Sequence, residues 1–356
     1  MTINAFTPLV LTDTVNKIGN AQMPFMLQRV FRRRNTHKTD SIVFGVNDGN
    51  IKLSGYTRKN APGTRVEKHG GALKALVVPE IRLVKALDRN FFETLNPGLP
   101  GYTGPVNADP NAQTNVKIAQ ELADQRAKIE RQMEVTAADA VQNGTATLTY
   151  PDGGTVTISY EYETTPASKA TIQTALTGTN KWDSADSDPL KNLRTWARQI
   201  AQYSNYGGPL DVILGYNAAD ALMKHTQFEK ILNKQTLNLA TMSLAEQGLF
   251  RGQFGQFTFW EYVQSYQNSA GTLVDAWDPK TVAVLPANGP ADIFSMEFGA
   301  TFDFPTPASD TPQFIQAEFF SKIAKHEDPA VLDLILQANP LPLIKNSSAL
   351  RVCTVL

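Results

Sequence analysis

Asp183, Asp186 and Asp188 come closest in this chain to a spacing that could hold a metal ion, and their oxygen ligands would select calcium. The glycine and the bidentate glutamate of a calcium loop are missing, however. Asp188, directly before Pro189, reads instead as the acceptor that caps a helix. His37, His69, His225 and His326 lie far apart, with no HExxH or i,i+4 pair for zinc, and the single Cys353 excludes a thiolate site. Gly248, Gly252 and Gly255 lack the GKS/GKT ending of a phosphate loop and the GxGxxG spacing of a dinucleotide turn, so they read as turn glycines. No GxSxG elbow is present. No catalytic residue, cofactor or metal site is expected.

The residues that do cluster are basic. Arg29, Arg32, Arg33 and Arg34 fall within six positions, and Lys52, Arg58, Lys59, Arg65 and Lys68 follow in a stretch with almost no apolar residues. Residues 1–85 carry 14 Lys+Arg against 5 Asp+Glu, a net of +9, the rest of the chain nets −10, and the total is −1. A basic front end on an acidic body fits arms that lie on other copies of the same chain. It also fits a nucleic-acid-binding tail, although no aromatic–basic interleaving or known reader motif accompanies it. These nine basic residues are the candidate contacts between subunits.

The elements that must position them can be read coarsely. At 356 residues, 42% hydrophobic and 19% charged, the chain has the composition of an ordered protein with a large core, two subdomains and part of its surface covered. No apolar run reaches the ~18 residues of a membrane span, and the opening ten residues do not resemble a secretion signal. In residues 1–40 apolar positions are scattered, and Pro8, Gly19 and Pro24 interrupt any long element. Residues 41–47 read as a strand and 48–67 as a loop or an extended hairpin supported by another molecule. Strand character resumes at 74–83, with Pro79 at a bend. From residue 114 or 115 to Asn143-Gly144, apolar residues recur at three-to-four spacing, a helix of about 29 residues and about 43 Å. Its narrow apolar stripe leaves Glu121, Asp124, Arg126, Lys128, Glu130, Arg131 and Glu134 around it. A hairpin follows over 145–162, then a helix from Asp188-Pro189, a buried strand at 210–214 and a helix capped by Asn217. Residues 257–263, 281–285 and 314–323 read as further strands, giving an α+β protein with an antiparallel sheet.

The stretch 257–286, FTFWEYVQSYQNSAGTLVDAWDPKTVAVLP, is similar to a signature of the tailed-phage major capsid protein E family, the lambda-type head proteins. Its carriers are Trp260-Glu261-Tyr262, Tyr266, the Gly271 turn and the strand closing on Pro286. Collinear with it stand Phe25-Met26-Leu27 and Phe31, Phe44-x-Val46-x-x-Gly49, Pro62-Gly63, the long helix with Asn143-Gly144, Trp182 with Asp188-Pro189, and the tail from Asp328-Pro329 through Pro340 and Pro342. The resemblance implies the Hong Kong 97-type capsid fold. On that pattern, residues 1–47 form an N-arm and 48–84 an E-loop. Residues 85–165 and 250–335 form a peripheral domain with a spine helix at about 115–143, and 166–249 and 336–356 an axial domain whose loop near 204–209 lines capsomer axes. It also implies a major capsid protein whose pentamers and hexamers close an icosahedral head around double-stranded DNA, held non-specifically. The portal protein, a separately supplied scaffold protein and, in many lambda-type relatives, a decoration protein would be partners. Such a protein assembles in the host bacterial cytoplasm and resides in the virion. Lys59-Asn60 is not expected to cross-link, because the family resembled is not a cross-linking one. The alternatives are an encapsulin-type compartment shell and a nucleic-acid-binding protein.

Overall fold

A computed structural model describes residues 7–17, 24–46, 72–87, 110–150, 154–160, 162, 165, 167–227, 249–267, 271–304, 311–326 and 331–356. The E-loop expectation, apart from residues 72–84, lies outside these residues. Within them the chain forms helices α1 (Pro8–Lys17), α2 (Phe25–Arg29), α3 (Pro110–Asn143), α4 (Ser168–Ile172), α5 (Pro189–Ser204) and α6 (Tyr216–Lys224).

Helix α3 is the predicted spine, and its 34 residues make a rod of about 51 Å. It starts several residues before the apolar pattern, with Pro110 at its first position, where a helix needs no amide donor. It stops at Gly144, whose φ of +68° provides the left-handed cap and whose missing side chain leaves room for the Tyr162 ring. The polar residues around the stripe divide in two. Asp124, Lys128 and Arg131 face outward, whereas Arg126, Glu130 and Glu134, spaced four apart, are buried.

What covers that second stripe is the N-terminal segment, where no helix was expected. Pro8, Leu11 and Val15 are spaced to share one face and form the buried side of α1. Arg126 donates to the Val15 carbonyl at 2.5 Å and pairs with Glu130 at 3.0 Å. Helix α2 follows, and Phe25, Met26, Leu27, Val30 and Phe31 are all buried. Each such side chain contributes about 1.5–3 kcal/mol on burial, so residues 25–31 belong to the core of their own subunit. Opposite them, Gly289 (φ +46°) comes so close to the Val30 carbonyl that any Cβ would collide with it.

Six strands form the largest sheet, in the order β7 (Gln173–Ala175), β20 (Arg351–Thr354), β13 (Thr281–Pro286), β8 (Leu210–Leu214), β10 (Phe257–Glu261) and β9 (Leu249–Phe254). The expectation of an antiparallel sheet is corrected: β10 runs parallel to β8, and β7 parallel to β20. Some forty residues separate β8 from β10, enough for the crossover that parallel neighbours require. The same sheet joins β8 to β9, β10 and β13. β8 and β13 are buried at every position, as strands covered on both faces must be.

Two three-stranded sheets follow the orders β1 (Arg34–Thr36), β14 (Phe294–Phe298), β19 (Pro340–Ile344) and β17 (Phe320–His326), β18 (Val331–Ala338), β4 (Ile81–Leu87). The strand expected over 314–323 is two strands, β16 (Gln313–Ile315) and β17, in different sheets. Among the described residues there are also four two-stranded antiparallel sheets: β2 (Ser41–Val46) with β3 (Ala72–Val77), β5 (Thr145–Thr149) with β6 (Thr155–Ser159), β11 (Ser265–Gln267) with β12 (Leu273–Asp275), and β15 (Thr301–Asp303) with β16. The bend expected at Pro79 separates β3 from β4.

Helices α5 and α6 start differently. Asp188 caps α5 as expected, accepting from the Lys191 amide at 2.9 Å with Pro189 at the first position. Asn217 does not cap α6, which begins at Tyr216 after Gly215 with no side-chain cap. The Pro279 carbonyl meets the Ala218 amide at 3.0 Å, so a neighbouring loop satisfies a donor that a cap side chain would otherwise take. Among the described residues no helix is long and apolar enough to cross a membrane, and no cluster of His, Cys, Asp and Glu is placed to hold a metal.

Candidate assembly interface

Three acidic side chains of the body fasten the N-terminal segment. Glu134 of α3 accepts from the amides of Met26 (2.8 Å) and Leu27 (3.1 Å) and from the Tyr262 hydroxyl (2.8 Å). Burial pushes its carboxyl up to about 7, against the hydrogen bonds, which pull it down. Asp211, fully buried in β8, accepts from Arg29 Nε at 2.8 Å and Nη2 at 2.9 Å, a bidentate fork. It also accepts from Trp260 Nε1 at 3.2 Å and the Asn288 amide at 3.1 Å. Glu297 of β14 bonds Ser295 at 2.6 Å, His37 at 2.7 Å and Asn35 at 3.0 Å. Burial opposes its ionisation, but these bonds and the Lys345 charge bring its carboxyl below the usual value.

The aromatic pair of the Trp260-Glu261-Tyr262 triplet completes this clasp. The Phe25 ring packs 5.6 Å from Trp260 and 5.7 Å from Tyr262, centre to centre. Trp260 also lies under the Arg29 guanidinium, 4.6 Å from its ring centre. Strand β1 then runs parallel to β14, with Asn35 opposite Glu297.

The four arginines of the cluster therefore have different surroundings. Arg29 is committed to Asp211, and Arg34 forms a partly buried pair with Glu318 at 3.0 Å. Arg32 and Arg33 are exposed, with Arg33 Nε reaching Asn35 Oδ1 at 3.0 Å. Within the subunit, then, Arg29 and Arg34 have acidic partners, while Arg32 and Arg33 lie on the surface. Lys52, Arg58, Lys59, Arg65 and Lys68 lie outside the described residues.

Other outward features were not read from the sequence. On β15 and β16, Phe302 and Phe314 stand opposite each other, 59% and 49% exposed, with ring centres 5.0 Å apart. Phe304 next to them is exposed as well, while Thr301 and Asp303 point inward, Asp303 onto Lys322 at 2.6 Å. The alternation of 301–304 was the available signal, with its apolar face turned to solvent. At the end of α5, Asn205 takes a left-handed conformation (φ +57°), and the Tyr206 hydroxyl donates to the Pro209 carbonyl at 3.1 Å, shaping the loop expected at capsomer axes.

A family model described as phage major capsid protein E matches residues 7–355. Among solved structures, a protein assigned as the capsid protein of a prophage of E. coli CFT073 superposes with a TM-score of 0.66 at 16% identity, covering 98% of this chain and 99% of that one. A phage-related protein from Bordetella bronchiseptica RB50 superposes at 0.54 and 12% identity, covering 98% and 97%. No curated protein matches the sequence.

Proposed function

The chain belongs to the phage major capsid protein E family, and on that premise we propose that its N-terminal segment is a fixed bracket from which exposed surfaces reach neighbouring subunits. The protein is the major capsid protein of a tailed-phage head shell. It has the Hong Kong 97-type fold, is structural rather than enzymatic, and assembles with copies of itself into the virion capsid. The family match over residues 7–355 carries this reading.

Its mechanism is association. The buried carboxylates and the Phe25 clasp hold residues 25–36 rigid, so what extends from them starts from a defined position. Arg32 and Arg33, the loop joining β2 to β3 and the Phe302–Phe314 hairpin then supply the contacts. Exposed ion pairs contribute only ~0–1 kcal/mol each, so a shell depends on many contacts made at once. In this proposal residues 48–84 act as the E-loop and 1–47 as the N-arm, its inner part built into its own subunit. The 204–209 loop faces the axes of pentamers and hexamers, which enclose double-stranded DNA. Portal, scaffold and decoration proteins complete the head.

Negative-stain electron microscopy of the protein expressed alone and with its neighbouring genes tests the proposal. Closed shells, rings or tubes are expected. A monodisperse monomer that binds DNA at moderate salt and never assembles would overturn it. Deleting residues 50–70 should leave a folded subunit that cannot close shells, and normal assembly of that variant would remove the E-loop assignment.

A further inference from the structure

Arg351, the first residue of β20, is a buried cation for which the fold supplies only neutral partners. It is 1% exposed. Its Nε donates to Gln199 Oε1 at 3.3 Å, and its Nη1 to the carbonyls of Ser348 at 2.9 Å and Leu350 at 2.5 Å. Among the described residues no carboxylate lies within ion-pair distance of it. Nη2 has no acceptor at all. The Oγ atoms of Ser347 and Ser348, equally buried, have no partner either.

These three orphans belong to one turn. Asn346 Oδ1 accepts from the Ser348 amide at 3.1 Å and closes the 3-10 turn Ser347–Ala349, and Arg351 folds back on it through the Ser348 carbonyl. Tyr203, in the last turn of α5, covers the guanidinium at 5.6 Å. A guanidinium has five N–H donors. Three are used here, which leaves the two on Nη2.

An unpaired buried ion costs more than the loss of one neutral hydrogen bond, so the missing partner should bring charge. Burial does lower the Arg351 pKa, but only to about 10, so it remains a cation near neutrality. A water molecule would satisfy hydrogen bonds and leave the charge uncompensated. A carboxylate of a neighbouring subunit cannot reach an atom so buried.

We propose that the 346–351 turn holds a small monovalent anion of the chloride type, bound by Arg351 Nη2 and the hydroxyls of Ser347 and Ser348. The anion neutralises the only charge in the turn. It also stiffens the end of α5, where Tyr203 leads into the 204–209 loop.

The test is thermal unfolding of the full-length chain in sodium chloride and in sodium gluconate, at one pH and ionic strength and in one assembly state. Chloride should raise the midpoint by roughly 2–4 °C and saturate. Ser347→Ala with Ser348→Ala should shrink that shift, and Arg351→Met should abolish it. Equal midpoints in the two salts would overturn the proposal, as would an undiminished shift in Arg351→Met. If Arg351→Met does not fold, crystals of the unaltered chain grown in bromide decide the matter. An anomalous peak beside Nη2 supports the site, and its absence there removes it.

Discussion

Arg29 and Arg32 stand three residues apart in one basic run and face opposite environments. Arg29 is partly buried, where the buried Asp211 takes both arms of its fork and Trp260 covers one face. Arg32 ends at the surface, where its charge is screened and free to meet another molecule. The same contrast separates residues 25–31, seated by five buried apolar side chains, from the exposed 38–40 turn. A basic segment is therefore not one functional unit. Among the described residues, part of the front end's charge is used inside the subunit, at Arg29 and Arg34.

The comparison breaks most sharply at Asp211. Asp211→Ala strands the Arg29 guanidinium and the Asn288 amide, and should cost about 3–5 kcal/mol of subunit stability in urea unfolding. An effect below about 1 kcal/mol would mean that Arg29 finds water as readily as Arg32 does.

Glu134 comes next, and its effect depends on pH. Its folded carboxyl sits at about 7 against 4.5 for the free group, so the folded state holds the proton longer. That contribution is fully present below about pH 4.5 and is lost as pH rises towards 7, on the order of 3 kcal/mol across the window. Glu134→Gln should remove this slope. A wild-type profile parallel to that of the variant would show that the amides of Met26 and Leu27 hold the carboxylate ionised throughout.

Removing the helix cap, Asp188→Ala, should cost about 1 kcal/mol, a loss local to α5. The smallest effect on folding belongs to Arg32→Glu with Arg33→Glu, within about 0.5 kcal/mol by unfolding. Shell yield in the same variant should nonetheless fall clearly. Unfolded subunits would instead place these arginines with Arg29, in the body of the fold.

Periodicity and capping made much of this architecture legible. Helix α3, the 145–159 hairpin, the Asp188 cap and the buried strand at 210–214 follow from spacing or chemistry within a few residues. The Trp260-Glu261-Tyr262 triplet carried the family resemblance, although its role as a clasp for Phe25 was not readable. Helix α1 had a signal in Pro8, Leu11 and Val15 that the surrounding prolines and glycines obscured. The exposed Phe302 and Phe314 had none beyond alternation, because alternation does not say which face is covered.

By itself, then, the sequence determined the local elements and the excess of basic charge at the front. The tertiary structure alone decided which charges became structural. Arg29 and Asp211 are 182 residues apart, and Met26 and Glu134 are 108 apart. Nothing local marks Arg126, Glu130 and Glu134 as buried while Asp124, Lys128 and Arg131 of the same helix face outward. Local periodicity reports which side of an element is apolar. Whether a charge can be buried depends on a partner delivered from elsewhere in the chain, and only the assembled fold brings the two together.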